Sequence, residues 1–425
     1  MVNPGTITSV ELDEEKRFKF LFIALGACIE GFRAMRKVIV VDATHLKTMY
    51  GGMLVFATAQ DPNHHHYPIA FGVIDTENHV SWPWFFNKLK TVVPDDPELV
   101  FISDRHKSII YAISEVYPSA RHAHCIYHLS KNLREYVKTD KDIASDKFKE
   151  CAHIYTKNDF DREFMDFRRR FPNAAKYLDE KIGLDKWARC HFEGDKYNID
   201  TSNAAESMNS VFVEARKTHL LPMIDTIIEK FSEWFNKYRK DSVGASNTRK
   251  LVPVVDNELH DRCEIAVRLT VIELNSYHLE YNVIGLDGKT YLVDLKMKSC
   301  SCRCFDIDKY PCVHAMAALR NLMRREVRRV HIEMHDLCSI YYLIETWALA
   351  YYRTIYVVPH ESDWNVPAAI RQLMAKPPEY TKTGGGRTQE KRFRSIAERR
   401  RKRRRQMKFK PGINLEKFLQ PPNLA

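Results

Sequence analysis

Cys300, Cys302, Cys312 and His314, within SCSCRCFDIDKYPCVHAMAAL, have the residue types and spacing of a metal site. Three thiolates and one imidazole complete a tetrahedral shell with no open position, the structural rather than the catalytic kind of Zn2+ site. Left unligated, such a cluster would be costly to bury. Cys304 is a fifth thiol in the run, and the spacing gives it no role beyond substituting for a neighbour. Far upstream, Asp42 and Asp104 each follow a short apolar run, VIVV at 38–41 and LVFIS at 99–103. Such runs read as strands buried on both faces, and ligands of open α/β sheets gather at the carboxyl ends of strands. Two carboxylates on adjacent strands repel one another unless a cation lies between them. Mg2+ or Mn2+ held there could activate an attacking oxygen and stabilise a leaving one in phosphoryl transfer. The plainer reading has each aspartate merely capping a turn at a strand end, and the two residues alone leave both open.

The elements that would position these groups follow from periodicity. After VIVV, Gly51-Gly52 makes a turn, and MLVFATA (53–59) and YPIAFGVI (67–74) read as two further strands. The loop between them contains His64, His65 and His66; adjacent side chains point apart, which predicts an exposed turn rather than a ligand set. Apolar spacing predicts a helix over Val80 to Val92, another through Ile109, Ile113 and Val116, and a short strand near Ala120 to Cys125. Three strands, helix, strand, helix, strand describes a mixed α/β sheet with helices on its faces. From Ser130 to Gly194 the pattern is charged amphipathic helix, with further helices over Ser202 to Lys217 and Pro222 to Arg239. Beyond Val252 the texture is β again. YNVIG (281–285) and TYLVDL (290–295) form a hairpin around Asp287-Gly288 that leads into the cysteines, and a helix from Ala315 to Met323 follows them. Glu206, in NIDTSNAAESMNSVF, would project from the first turns of its helix after the N-cap candidates Thr201, Ser202 and Asn203.

Several spaced segments carry a resemblance. VIVVDATHLK, GGMLVFATAQDPNHHHYPIAFGVID, SWPWFFNKL, FISDRHKSI, HCIYHLSKNL and NIDTSNAAESMNSVF are similar to the transposase domain of plant Mutator-like elements, over most of residues 18–240. The late Cys/His segment resembles a SWIM-type zinc finger. The resemblance implies a ribonuclease-H-like core whose Asp-Asp-Glu triad is Asp42, Asp104 and Glu206, with an all-helical insertion between the second and third acids. It also implies that Cys125 and His128 support the active site or contact DNA. One Cys/His pair cannot close a tetrahedral shell, and Cys190-His191 is the available completion. Trp187 lies in the insertion, either near target DNA or as a plain core residue.

The expected organisation is an N-terminal helical remnant (1–35), a transposase core (36–216, insertion about 130–195) and a helical connector (217–262). A SWIM-type region (263–330), a helical or extended segment (331–380) and a disordered basic tail (381–425) follow. The net charge of +11 resides in residues 387–410, which hold 13 Lys/Arg and 2 Asp/Glu. The run Arg399, Arg400, Arg401, Lys402, Arg403, Arg404 and Arg405 fits binding to DNA and nuclear import. No secretory pattern opens the chain, and its most apolar late stretch is interrupted by Glu345 and Arg353, so a soluble protein without membrane contact is expected. The cysteines are clustered rather than framework-like, which favours metal ligation over disulfides.

Relatives of the resembled family usually carry a DNA-binding zinc module ahead of the core, and residues 1–35 hold no Cys/His cluster. End recognition is therefore expected to be lost or supplied by a separate protein. Two function classes stand: a metal-dependent transposase that cuts and joins DNA, assembling as a homo-oligomer on it, or a domesticated or truncated derivative that binds DNA and regulates without catalysis. A ribonuclease-H-type nuclease unrelated to transposition is the third.

Overall fold

The computed structural model describes residues 3–201, 203–246, 249–324, 332–373 and 375–378. Its centre is a seven-stranded mixed sheet. In chain order the strands are β1 (Ile7–Leu12), β2 (Phe18–Ala24), β3 (Val38–His45), β4 (Met53–Gln60), β5 (His66–Ile74), β6 (Val100–Ser103) and β7 (Arg121–His124). In space they run β1-β2-β5-β4-β3-β6-β7. The β3–β4–β5 meander is antiparallel, and β6 and β7 add in parallel on the β3 side. Short helices α1 (Gly26–Phe32), α2 (Ser81–Lys90) and α3 (Lys107–Val116) make the connections. The aromatic face of α2 packs on the sheet through Phe22–Phe85 and Phe86–Phe101, with ring centroids 5.5 and 5.6 Å apart.

The helical remnant expected over 1–35 gives way to two strands and one short helix. FKFLFIA is an apolar run whose Phe20–Ala24 stretch is buried, and it pairs with β5 through Leu21–Val73 and Ile23–Phe71. A stretch buried on both faces takes its hydrogen bonds from neighbouring strands. Gly72 makes the approach possible, since a Cβ there would lie 2.4 Å from the Leu21 carbonyl oxygen.

After β7 the chain becomes helical: α4 (Ile126–Leu133), α5 (Lys141–Ala152), α6 (Lys157–Arg170) and α7 (Pro172–Tyr177). These helices bury a core of their own around Phe148, Phe160, Phe164 and Phe167. Trp187 is fully buried in it, 5.0 Å from Phe148. It is a core tryptophan, and the reading that set it near DNA falls because the ring has no exposed face. The chain returns to the sheet through α8 (Asn203–Val211) and the long α9 (Leu220–Ser246). A further helix, α10 (Pro253–Ala266), occupies the place where β texture was expected directly after Val252; it turns Val255, Leu259 and Cys263 inward.

The remaining strands β8 (Thr270–Asn275), β9 (Glu280–Ile284), β10 (Thr290–Asp294) and β11 (Ser299–Cys300) form a second, antiparallel sheet, followed by α11 (Cys304–Asp308) and α12 (Val313–Met323). Tyr281, Val293, Phe305 and Leu319 join the same hydrophobic cluster as the seven-stranded sheet. Buried Asp308 adds polar ties: Arg262 Nη2 lies 2.6 Å away, and Tyr155 donates to it at 2.9 Å. Finally α13 (Ile344–Ala350) returns to the main sheet, where the Trp347 indole and Tyr351 hydroxyl both donate to Asp61 Oδ2 at 2.7 and 3.0 Å. The same carboxylate holds His65 at 2.9 Å, and the imidazole stacks on Tyr238. The histidine run expected in an exposed turn is therefore half-buried, clasped by Asp61 and aromatic rings. Residues 379–425, including the basic run at 399–405 and the tail expected to be disordered, lie outside the described residues.

Candidate active site and zinc centre

The pleat brings the two aspartates together. Side chains alternate across a strand; on β3, Ile39 and Val41 face the large core while Val38 and Val40 face a smaller cluster with Cys125 and Ala205. Asp42 has the parity of Val40. On β6, Val100 and Ile102 face that same small cluster, and Asp104 follows with their parity. The parallel register pairs Val38 with Val100 and Val40 with Ile102, so Asp42 and Asp104 come level on neighbouring strands. Asp42 does not end its strand, as its polarity suggested. The ladder to β4 continues from Asp42–Phe56 to His45–Met53, because backbone pairing persists where the apolar side chains stop. The far end of β3 is pinned from outside: Arg216 Nη1 donates to the His45 carbonyl at 3.0 Å.

Glu206 arrives from the first turn of α8, which seats Met208 and Phe212 in the core, Phe212 stacking on Phe56 at 5.5 Å. That seating turns Glu206 toward the aspartates. Burial pushes the Asp42 carboxyl up to about 8, reinforced by the charges of Glu206 and then Asp104. The charges of Glu206 and Asp104 both reach Asp42. Such mutually opposed carboxylates fit a divalent cation, since Mg2+ needs only one or two plus waters and substrate oxygens.

Around the acids, Cys125 is fully buried and its backbone N–H donates to the Ser103 carbonyl at 2.8 Å, while the next amide, of Ile126, donates to the Asp200 backbone carbonyl at 2.9 Å. Cys125 thus staples α4 to the end of β6. His128, one turn into α4, places Nε2 3.5 Å from Glu206 Oε1. Cys190 and His191 lie in the helical insertion and form no metal cluster with Cys125 and His128 among the described residues. Two neighbours escaped sequence reasoning. Asn209 donates to Asp42 Oδ2 at 2.9 Å; its position three residues after Glu206, on the same helix face, was the available signal. Half-buried Glu77 is a fourth carboxylate, pushed up by burial and by Asp104, with His106 and His45 opposing the rise. Nothing in its sequence context marked it.

The second site is tighter. Ligand atoms of Cys300, Cys302, Cys312 and His314 all lie within 4.8 Å of one another, and His314 Nδ1 stands 3.7 Å from Cys300 Sγ and 3.9 Å from Cys312 Sγ. A tetrahedron with Zn–S ~2.3 Å and Zn–N ~2.0 Å has S···N edges of about 3.5 Å, so the donor set fits Zn2+ in type and size. Hydrogen bonds from Cys300, Cys304 and Cys312 pull the Cys302 thiol far down, toward thiolate. Cys304 stands outside the four-ligand group. Tyr291 stacks on His314 with centroids 3.9 Å apart, and the N-terminus of α12 points its Ala315 amide at Cys312 Sγ, 3.4 Å away. The helix end stabilises negative charge on sulfur, and the stacked ring fixes the imidazole plane.

A mixed sheet bearing grouped acids, joined to a Cys3His cluster, defines the class. Residues 38–132 match the MULE transposase domain and residues 291–322 match the SWIM zinc finger. The chain thus combines the two modules that its sequence resembled. Protein FAR-RED IMPAIRED RESPONSE 1 of Arabidopsis thaliana is 22% identical over 357 residues, covering 75% of this chain and 42% of that protein. Protein FAR1-RELATED SEQUENCE 4 of the same plant is also 22% identical, covering 75% of this chain and 47% of its own length. The Transposase for insertion sequence element IS905 of Lactococcus lactis is 27% identical over 117 residues, covering 26% of this chain and 30% of that transposase. The chain spans less than half the length of each of these relatives.

Proposed function

We propose that this protein is a DNA strand transferase of Mutator type, built on a ribonuclease-H-like core, with Asp42, Asp104 and Glu206 as the metal-holding acids. The observation that carries this reading is the parallel β3–β6 register, running to Val40–Ile102 two residues before each aspartate, together with the charges of Glu206 and Asp104 on Asp42. A bound Mg2+ or Mn2+ pair would supply activation of the attacking oxygen and stabilisation of the leaving one. The chain's own groups do the rest. Asn209 fixes the Asp42 carboxylate by its hydrogen bond, and His128 orients Glu206. The SWIM cluster holds Zn2+ structurally and braces the core from behind. The partner is DNA, approached as a homo-oligomer, and the compartment is the nucleus, to which the basic run at 399–405 would direct the chain.

The test is a Mg2+- or Mn2+-dependent nicking assay. Wild type should cleave, and Asp42→Asn should lose cleavage while retaining DNA affinity, because ligand charge serves the chemistry more than phosphate attraction. Cleavage by both proteins alike would remove the acids from the mechanism. A second reading, a DNA-binding regulator without catalysis, is favoured by the relatives: Protein FAR-RED IMPAIRED RESPONSE 1 and Protein FAR1-RELATED SEQUENCE 4 align over three quarters of this chain, the insertion-sequence transposase over one quarter. Absence of cleavage with either metal, together with intact DNA binding, would select it.

A further inference from the structure

A cavity of about 460 Å³ opens between the helical insertion and the zinc finger, sharing no residue with the acid cluster. Its walls carry five cations, Lys157, Arg189, Lys196, Arg303 and Lys309. Four acids line it too, but each is already engaged. Glu193 pairs with Arg121 at 3.3 Å, Asp195 with Lys309 at 2.8 Å and Asp306 with Arg303 at 2.8 Å. Asp200 is shared by His153 at 2.7 Å and Arg189 at 3.5 Å.

That pairing leaves Lys157 and Lys196 without a close ion pair of their own among the described residues, although the Asp200 charge also acts on Lys196. Lys196 is only 7% exposed. Its ammonium lies over the Phe192 ring at 4.5 Å and finds no hydrogen-bond acceptor among the described residues. Burial of the side chain lowers its pKa to about 8 against the opposing charge of Asp200, while Nζ itself is not sealed from solvent and keeps access to the cavity. Lys157 is exposed at the first position of α6, where the helix N-terminus also favours an anion. Both ammonium groups act on the Cys190 thiol in the cavity wall, against the larger opposing charge of Asp161, so their fields overlap there. Two point charges beside a guanidinium suit a multiply charged, oxygen-rich anion, and the volume exceeds what a bare ion needs.

We propose that this cavity binds a phosphate group, carried either by a DNA backbone or by a small phosphorylated molecule. Occupation would give Lys196 its missing acceptor and bridge insertion to finger. The site stands apart from strand cleavage, and its test does not depend on that activity. Hydrogen–deuterium exchange of the zinc-loaded full chain is followed over residues 186–200, with and without millimolar inorganic phosphate or a DNA duplex. This local readout separates the cavity from the basic tail.

Phosphate should protect the segment in wild type, and Lys196→Met should weaken the apparent affinity about tenfold, the scale of one charge-assisted hydrogen bond. Lys157→Gln, at an exposed position, should weaken it in the same direction and decides the matter if Lys196→Met does not fold. Protection by duplex as well, with a salt dependence flattened by ~0.9 in Lys196→Met, identifies the backbone as source. Protection by phosphate alone identifies a small molecule. Protection by neither in wild type, or undiminished protection in both folded variants, overturns the proposal.

Discussion

Asp42 combines the highest stake with the clearest signature. Its carboxyl, raised to about 8 by burial and by Glu206 and Asp104, holds a proton in the folded state that the unfolded chain releases near pH 4. Stability from that proton is fully present below pH ~4 and is lost as pH rises to about 8. Melting of metal-free wild type and Asp42→Asn across this range should therefore diverge, the variant gaining by a few degrees toward pH 8 and by nothing near pH 4. Divalent cation should stabilise wild type more than the variant, because it meets a charge the amide lacks. Asn209 gives a milder expectation. Asn209→Ala frees Asp42 Oδ2 from its donor, and loss of such an outer partner typically costs ~10–100-fold in metal affinity or activity. Calorimetric titration with Mn2+ should find that loss with the melting temperature little changed; unchanged affinity would demote Asn209 to packing.

Among the elements, α8 and the SWIM sheet depend on the rest of the chain in opposite ways. Helix α8 has no stable position without the sheet, since Met208 and Phe212 dock it and only docking turns Glu206 inward. The finger has local determinants, but its apolar side is continuous with the main core, and Asp308 links it to α10 and the insertion. A free-standing finger would lose only residues near 290–325 on zinc removal. This one should transmit the loss: chelation, or Cys312→Ala, should expose β9, β10 and α12 first and lower the melting temperature of the whole chain. Metal binding in so small a unit is folding energy. Metal analysis and hydrogen exchange check both parts, and a freshly purified, reduced protein without zinc would contradict the assignment.

For the whole molecule, charge is the governing quantity. The net +11 sits within residues 387–410, so the folded body is formally neutral. Deleting 387–425 should flatten the log–log salt dependence of duplex binding by ~0.9 for each phosphate that the tail no longer neutralises, leaving a shallow slope. An unchanged slope would assign the attraction to a basic face of the body. The same deletion should reduce nuclear accumulation of a tagged chain if the run is an import signal. No helix among the described residues is long and apolar enough to cross a membrane.

The sequence by itself determined what is contiguous. Cys300, Cys302, Cys312 and His314 lie within one short segment, and ligand spacing along a hairpin and a helix start suffices to gather them. The runs that became β3 to β6 were legible for the same reason: burial on both faces demands unbroken apolar residues, and parity then assigns a face to each aspartate. Tertiary structure alone decided what is distant. Glu206 follows Asp104 only after five helices and a separate aromatic core, so its approach rests on how α8 docks, which local pattern does not encode; resemblance supplied it. FKFLFIA became a strand because β5 offered an edge, a fact about the sheet and not about the run. Trp187 went to the core, His65 to Asp61 and Asp308 to Arg262 because long-range packing had closed around them. Lys196 is the sharpest case: an ordinary lysine in the sequence becomes, in the folded chain, a largely buried side chain on the wall of the cavity between insertion and finger.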